Sequence, residues 1–190
     1  DLQLFRDRNF VIGLVLVFVF GMLNFTPMTM LPPLMQNVGS YPDSVVGLVI
    51  GSRGLGTLGA FAFMIVGSRI APRPMIVAGF VLQAWAGWQL AQLDVQPTVE
   101  AVFGPMLLQG FGVGLLWVPI TMVTFNTLDP RHLPDASAVY HMVRNFGSAV
   151  HISLTVTLTL RMARTAYGEL TERVTPFHAQ VLPGPWSTEH

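Results

Sequence analysis

The chain has 190 residues, of which 52% are hydrophobic and only 11% charged. A soluble domain carries about 25% charged residues, so the composition excludes an ordinary water-soluble domain and points to a membrane protein. Ten basic residues, all arginine, balance ten acidic ones, and cysteine is absent. This removes any bulk electrostatic case for nucleic acid and excludes disulfides and thiolate metal sites.

The opening stretch DLQLFRDRNF starts at Asp1 and has neither the basic run nor the cleavage site of a signal peptide. The expectation is an excerpt from a longer protein, with residues 1–9 as a cytoplasmic linker. A bilayer core of about 30 Å is crossed by roughly 20 apolar residues in a helix. Five segments reach that length: about 10–34, 44–67, 74–93, 99–124 and 136–160.

The first segment carries Asn24 near its centre, and Pro27, Pro32 and Pro33 should kink or break its outer half. NVGSYPDS offers Asp43 or Ser44 as the N-cap of the second helix. That helix holds Arg53, ten residues past Asp43, hence about 15 Å into the membrane. Pro74 in the loop SRIAPRP suits the first turn of the third helix, which has Gln83 near its centre. Asp94 or Thr98 precedes the fourth helix, which centres on Gln109. Gly47, Gly51, Gly54 and Gly59 on the second helix, with Gly110 and Gly114 on the fourth, should allow close helix approach. Asp135 is the expected cap of the fifth helix. The short loops make sequential helices antiparallel neighbours. Residues 161–190 read as a polar segment without a sixth span.

The fifth segment breaks the apolar pattern. His141, Arg144, Ser148, His151 and Thr155 recur at steps of three and four, which places them on one helical face. Such a stripe should line water or face protein, because an arginine at a helix centre costs roughly 2.5–3.5 kcal/mol on insertion scales. Each polar group has two readings. Asn24 and Gln83 are interhelical glue or pathway residues. His141 and His151 are satisfied interior imidazoles or proton relays. Arg144 lines a cavity, or clamps helix-end carbonyls or snorkels, and Arg53 is equally open. All ten carboxylates fall in loops, helix ends or the tail. The histidine spacings of nine and ten, without a carboxylate on the same face, argue against a metal site. No nucleophile–base pair argues for an enzyme.

Arginines flank the membrane unevenly. Arg6 and Arg8 precede the first helix, Arg69 and Arg73 fill the second-to-third loop, and Arg131 lies in the fourth-to-fifth loop. The other two loops have none. The positive-inside rule then makes the N-terminal end cytoplasmic and places the tail outside, in spite of Arg161, Arg164 and Arg173.

The motifs LPPLMQNVGSYPDSVVGL, SRGLGTLGAF, LLQGFGVGLLWVPIT, LPDASAVYHMVRNFGSAVHIS and LTERVTPF occur in one order. Together they resemble the EmrB/QacA-type multidrug efflux permeases, the fourteen-helix drug:proton antiporter branch of the major facilitator superfamily. The resemblance covers about residues 1–177. It implies an all-α membrane protein: five transmembrane helices of the C-terminal six-helix bundle, with the last helix missing. The family's RGLG maps to Arg53, Gly54, Leu55 and Gly56, and its LQG to Leu108, Gln109 and Gly110. Its RN-G-S stretch maps to Arg144, Asn145, Gly147 and Ser148. The loop around Gly67, Arg69 and Arg73 is similar to the superfamily's glycine–acid–arginine loop but lacks the acid. His151 stands where glycine is common in such sequences.

The function implied is export of amphipathic drugs or other hydrophobic small molecules in exchange for protons, from the inner membrane and without a cofactor. The expected partners are the missing N-terminal transporter half, the lipid bilayer and the substrate. Arg53 and Arg144 are expected to balance carboxylates of that missing half. The polar tail is similar to the outer loop of Gram-negative permeases that work with a periplasmic adaptor protein and an outer-membrane channel. The alternative is a non-transporting membrane binding module or a gene remnant.

Overall fold

The computed structural model describes residues 2–37, 39–66, 71–93 and 97–173. Among these residues all regular structure is helical: α1 (Arg8–Asn37), α2 (Asp43–Val66), α3 (Pro72–Ala91), α4 (Val99–Phe125) and α5 (Leu133–Arg173). Short 3-10 turns cover Leu2–Arg6 and Pro130–His132.

Helix starts follow local hydrogen-bond chemistry, with some shifts from the expected caps. Asp7 opens α1, its Oδ1 accepting from the backbone N–H groups of Asn9 at 2.8 Å and Phe10 at 3.1 Å. These are donors that a helix start otherwise leaves without partners. At α2 the Pro42 carbonyl takes the Val45 and Val46 N–H groups at 3.0 and 3.2 Å. Asp43 is already inside the helix, where its carboxylate accepts from Gln36 Nε2 at 3.1 Å. At α3, Pro72 rather than Pro74 is the first helical residue. Thr98 caps α4, accepting from the Ala101 N–H at 3.4 Å. Asp135 lies in the first turn of α5, where an acid suits the helix dipole. Asp129 caps the preceding 3-10 turn instead, through the Arg131 N–H at 2.9 Å.

Two helices differ in extent from the sequence reading. α1 runs through Pro27, Pro32 and Pro33 without ending. Proline removes a donor, but in apolar surroundings the rest of the backbone has no water to turn to, so the helix persists. α5 continues past Leu160 to Arg173. That extension is rich in arginine, alanine and glutamate, which are strong helix formers. Residues 174–190 of the expected tail, and the loop residues Gly67 and Arg69, lie outside the described residues. Arg73 is described and exposed.

The chain divides into two compact units, Asp1–Ile152 and Ser153–His190. In the second unit the side chains of Leu154, Leu158, Leu160 and Met162 are exposed.

In the first unit α4 is the hub, packing on α1, α2 and α3. Small residues make this possible. A Cβ on Gly110 would stand 1.9 Å from the Arg53 carbonyl oxygen, and one on Gly56 would stand 2.0 Å from that of Leu107. Helices whose outside is as apolar as lipid gain little from burying hydrophobic area, so close backbone approach carries their association. Phe10, Val17, Phe20, Leu116 and Ile120 pack into one core cluster. Met35, Val49, Val102 and Met106 pack into a second. Outside the cores, large apolar side chains remain uncovered, among them Leu48, Leu58, Ile65, Trp85 and Trp88. α1, α2 and α4 are long and apolar enough to cross a membrane.

Candidate substrate site

Three clusters of polar residues lie within this apolar bundle. The first centres on Arg53, which is 7% exposed. Its Nη2 donates to the Asn24 backbone carbonyl at 2.8 Å and to Asn24 Oδ1. Its Nε is buried and has no partner among the described residues. One turn on, the Thr57 hydroxyl donates to the Gly110 carbonyl at 3.0 Å, fixing α2 against α4. Asn24 and Arg53, singled out separately in the sequence, are thus one unit. They line a cavity of about 270 Å³ together with Met28, Gly51, Gly54 and Thr57.

The second cluster lies on α5. Ser148 is buried, and its hydroxyl donates to the Gly21 carbonyl of α1 at 2.9 Å and to the Arg144 carbonyl at 3.0 Å. A Cβ on Gly147 would stand 2.4 Å from the Phe18 carbonyl oxygen. This part of the polar stripe therefore faces protein. The Arg144 guanidinium carbon lies 5.0 Å from the centre of the Trp117 ring, within cation–π range. Its Nε is buried without a partner among the described residues. Trp117 in turn meets Phe20 edge-on at 5.8 Å. His141 packs edge-on against Tyr140 and is exposed, as is Asn145. The Tyr140 hydroxyl lies 3.2 Å from that of Thr121.

The third cluster brings together residues from four helices. Gln83 Nε2 donates to the Gln109 backbone carbonyl at 2.7 Å, and Gln109 Oε1 is buried without a partner among the described residues. Both glutamines and His151 line an otherwise apolar cavity of about 350 Å³, walled by Leu23, Pro27 and Leu31 of α1 and Gly87 and Leu90 of α3. Few polar groups in an apolar wall is the pattern of small-molecule sites. The sequence reading missed Trp117, Thr57 and Tyr140. Thr57 stands four residues from Arg53, a spacing that could have flagged it. Trp117 carries no such signal, because its pairing with Arg144 depends on how α4 and α5 dock.

The described residues contain no group of three or more histidines and carboxylates placed to hold a metal ion. A sequence model of the Major Facilitator Superfamily matches residues 2–151. The chain is 29% identical over 182 residues to the multidrug export protein EmrB of Escherichia coli K12, covering 94% of this chain and 35% of that protein. It is 25% identical over 182 residues to the fatty acid resistance protein FarB of Neisseria gonorrhoeae, covering 94% and 36%. It is 24% identical over 178 residues to the lincomycin resistance protein LmrB of Listeria monocytogenes, covering 93% and 37%. The chain thus spans about a third of the length of the curated relatives it matches. The family match over residues 2–151, the all-helical bundle and its lipid-length apolar helices converge: this chain belongs to the Major Facilitator Superfamily, as part of a multi-pass membrane protein of transporter rather than enzyme type.

Proposed function

We propose that the chain forms most of the C-terminal bundle of a secondary exporter. It works by alternating access against an N-terminal half and exchanges amphipathic small molecules for protons. The observation that carries this reading is the pair of arginines held deep in apolar helices. Arg53 finds only neutral acceptors, and Arg144 rests on the Trp117 ring. Each retains a buried Nε without a partner among the described residues. A charge in that position is retained for function, and its complement is a substrate or a group on another surface. The names of the relatives, which mention many drugs, a fatty acid and lincomycin, support amphipathic substrates.

In this reading all five helices, residues 10–160, cross the inner membrane, α3 and α5 included. Residues 1–9 are cytoplasmic and residues 161–190 lie outside. There the tail is available to a periplasmic adaptor protein and an outer-membrane channel. Arg144 serves the coupling step. Arg144→Ala in the full-length protein should cut ΔpH-driven efflux of a cationic dye from inverted vesicles by at least about tenfold, with unchanged membrane expression. Normal efflux by that variant would refute the role.

A further inference from the structure

The substrate class follows from the surroundings of Arg53. Arg53 is 7% exposed, and both acceptors of its Nη2 belong to Asn24 and are uncharged. Its Nε is enclosed and has no partner among the described residues. A buried guanidinium whose acceptors are neutral is an incomplete site, because desolvating a charge is costly until an opposite charge meets it. Arg53 also lines a cavity, and a guanidinium bordering a cavity attracts a carboxylate through charge-assisted hydrogen bonds.

The space beside it is open. A Cβ on Gly51 or Gly54 would meet nothing within 4 Å, and both glycines line the 270 Å³ cavity with Arg53. Their small size is not needed for packing within the bundle; it keeps the approach to Arg53 clear. Met28, Ile50 and Val113 form the apolar part of the same wall. A cationic floor under an apolar wall selects a molecule with one negative end and one greasy end.

We propose that this cavity binds the carboxylate of an amphipathic organic anion, with Arg53 as the anion anchor, Asn24 as its positioning residue, and Gly51 and Gly54 as the opening. This deepens the export reading and rests on it only for the direction of transport.

Equilibrium binding to the full-length protein in lipid nanodiscs tests it without requiring transport. The probes are radiolabelled decanoate and decyltrimethylammonium, which share a chain length and differ in charge. The wild-type protein should bind decanoate more tightly. Arg53→Gln should weaken decanoate binding about 10- to 100-fold, the range of a charge-assisted hydrogen bond, and leave the cation within about twofold. Should Arg53→Gln fail to fold, Gly51→Leu carries the test: it fills open space, keeps the arginine, and should lower decanoate binding by a similar factor. Equal binding of the two probes by the wild type, or unaltered decanoate binding in both variants, overturns the proposal. If the carboxylate belongs instead to the other half of the transporter, the wild type will not discriminate by charge and Arg53→Gln will stop efflux of cationic dyes. That outcome sinks the anion site while leaving export standing. Charge-selective binding without any ΔpH-driven efflux does the reverse.

Discussion

On one side of α2, a Cβ on Gly56 would stand 2.0 Å from the Leu107 carbonyl oxygen of α4, and the facing Gly110 is equally tight against Arg53. On the other side, Gly47, Gly51 and Gly54 have nothing within 4 Å of where a Cβ would lie. The same residue type on one helix therefore does two jobs. Gly56, with Gly110 and Gly114 opposite, lets two backbones touch, while the outer glycines leave a surface without a partner in the described residues. Arg53 sits between the two sides, its backbone carbonyl against Gly110 and the residue itself lining the open cavity. Tight packing on one side holds the arginine in place for whatever meets the other.

The largest expected contrast comes from one methyl group placed on each side. Gly110→Ala should destabilise the full-length protein by about 1–3 kcal/mol, the range for overpacking a filled site. Its Cβ meets backbone rather than a movable side chain. Gly54→Ala should stabilise by up to about 1 kcal/mol, because alanine restrains the helix better than glycine. Thermal denaturation in detergent reads both, and equal signs for the two variants would erase the distinction between the faces.

A smaller effect belongs to the end of α1. The Thr127 hydroxyl beside Asp7 holds its carboxyl below the ordinary value of 3.8, outweighing partial burial, with the Phe10 and Asn9 N–H groups adding to the effect. A depressed carboxylate contributes stability that is present above its unfolded pKa and lost as pH falls through the folded value. Asp7→Ala should therefore lower the melting temperature at neutral pH by the equivalent of about 1 kcal/mol, as for a lost N-cap. The gap should close as the pH drops below 3.8. A gap that does not depend on pH would mean that the charge contributes nothing.

α1, α2 and α4 were legible because apolar runs of lipid length can satisfy their backbones in few other ways. Arg53 and Arg144 were legible as exceptions to that rule. The pairing of Arg53 with Asn24, and of Arg144 with Trp117, was not: each joins two helices whose relative rotation the sequence does not encode. For the same reason Gly47, Gly51 and Gly54 were expected to pack and meet nothing among the described residues, whereas Gly56 went unnoticed as a contact residue and packs closest of the α2 glycines. Periodicity names a face of a helix but not its neighbour. The prolines of α1 did not end that helix, since their effect depends on the solvent around it.

If the chain works by alternating access as proposed, the open face of α2 borders a path that opens in turn to each side of the membrane. The direct measurement is labelling of Gly51→Cys by a membrane-impermeant maleimide, in a full-length protein freed of other cysteines, with and without a pH gradient or substrate. The expected result is a severalfold change in labelling rate on imposing the gradient, with reactivity shifting from one side of the membrane to the other. Unchanging labelling under every condition, or none at all because lipid covers the position, would contradict it.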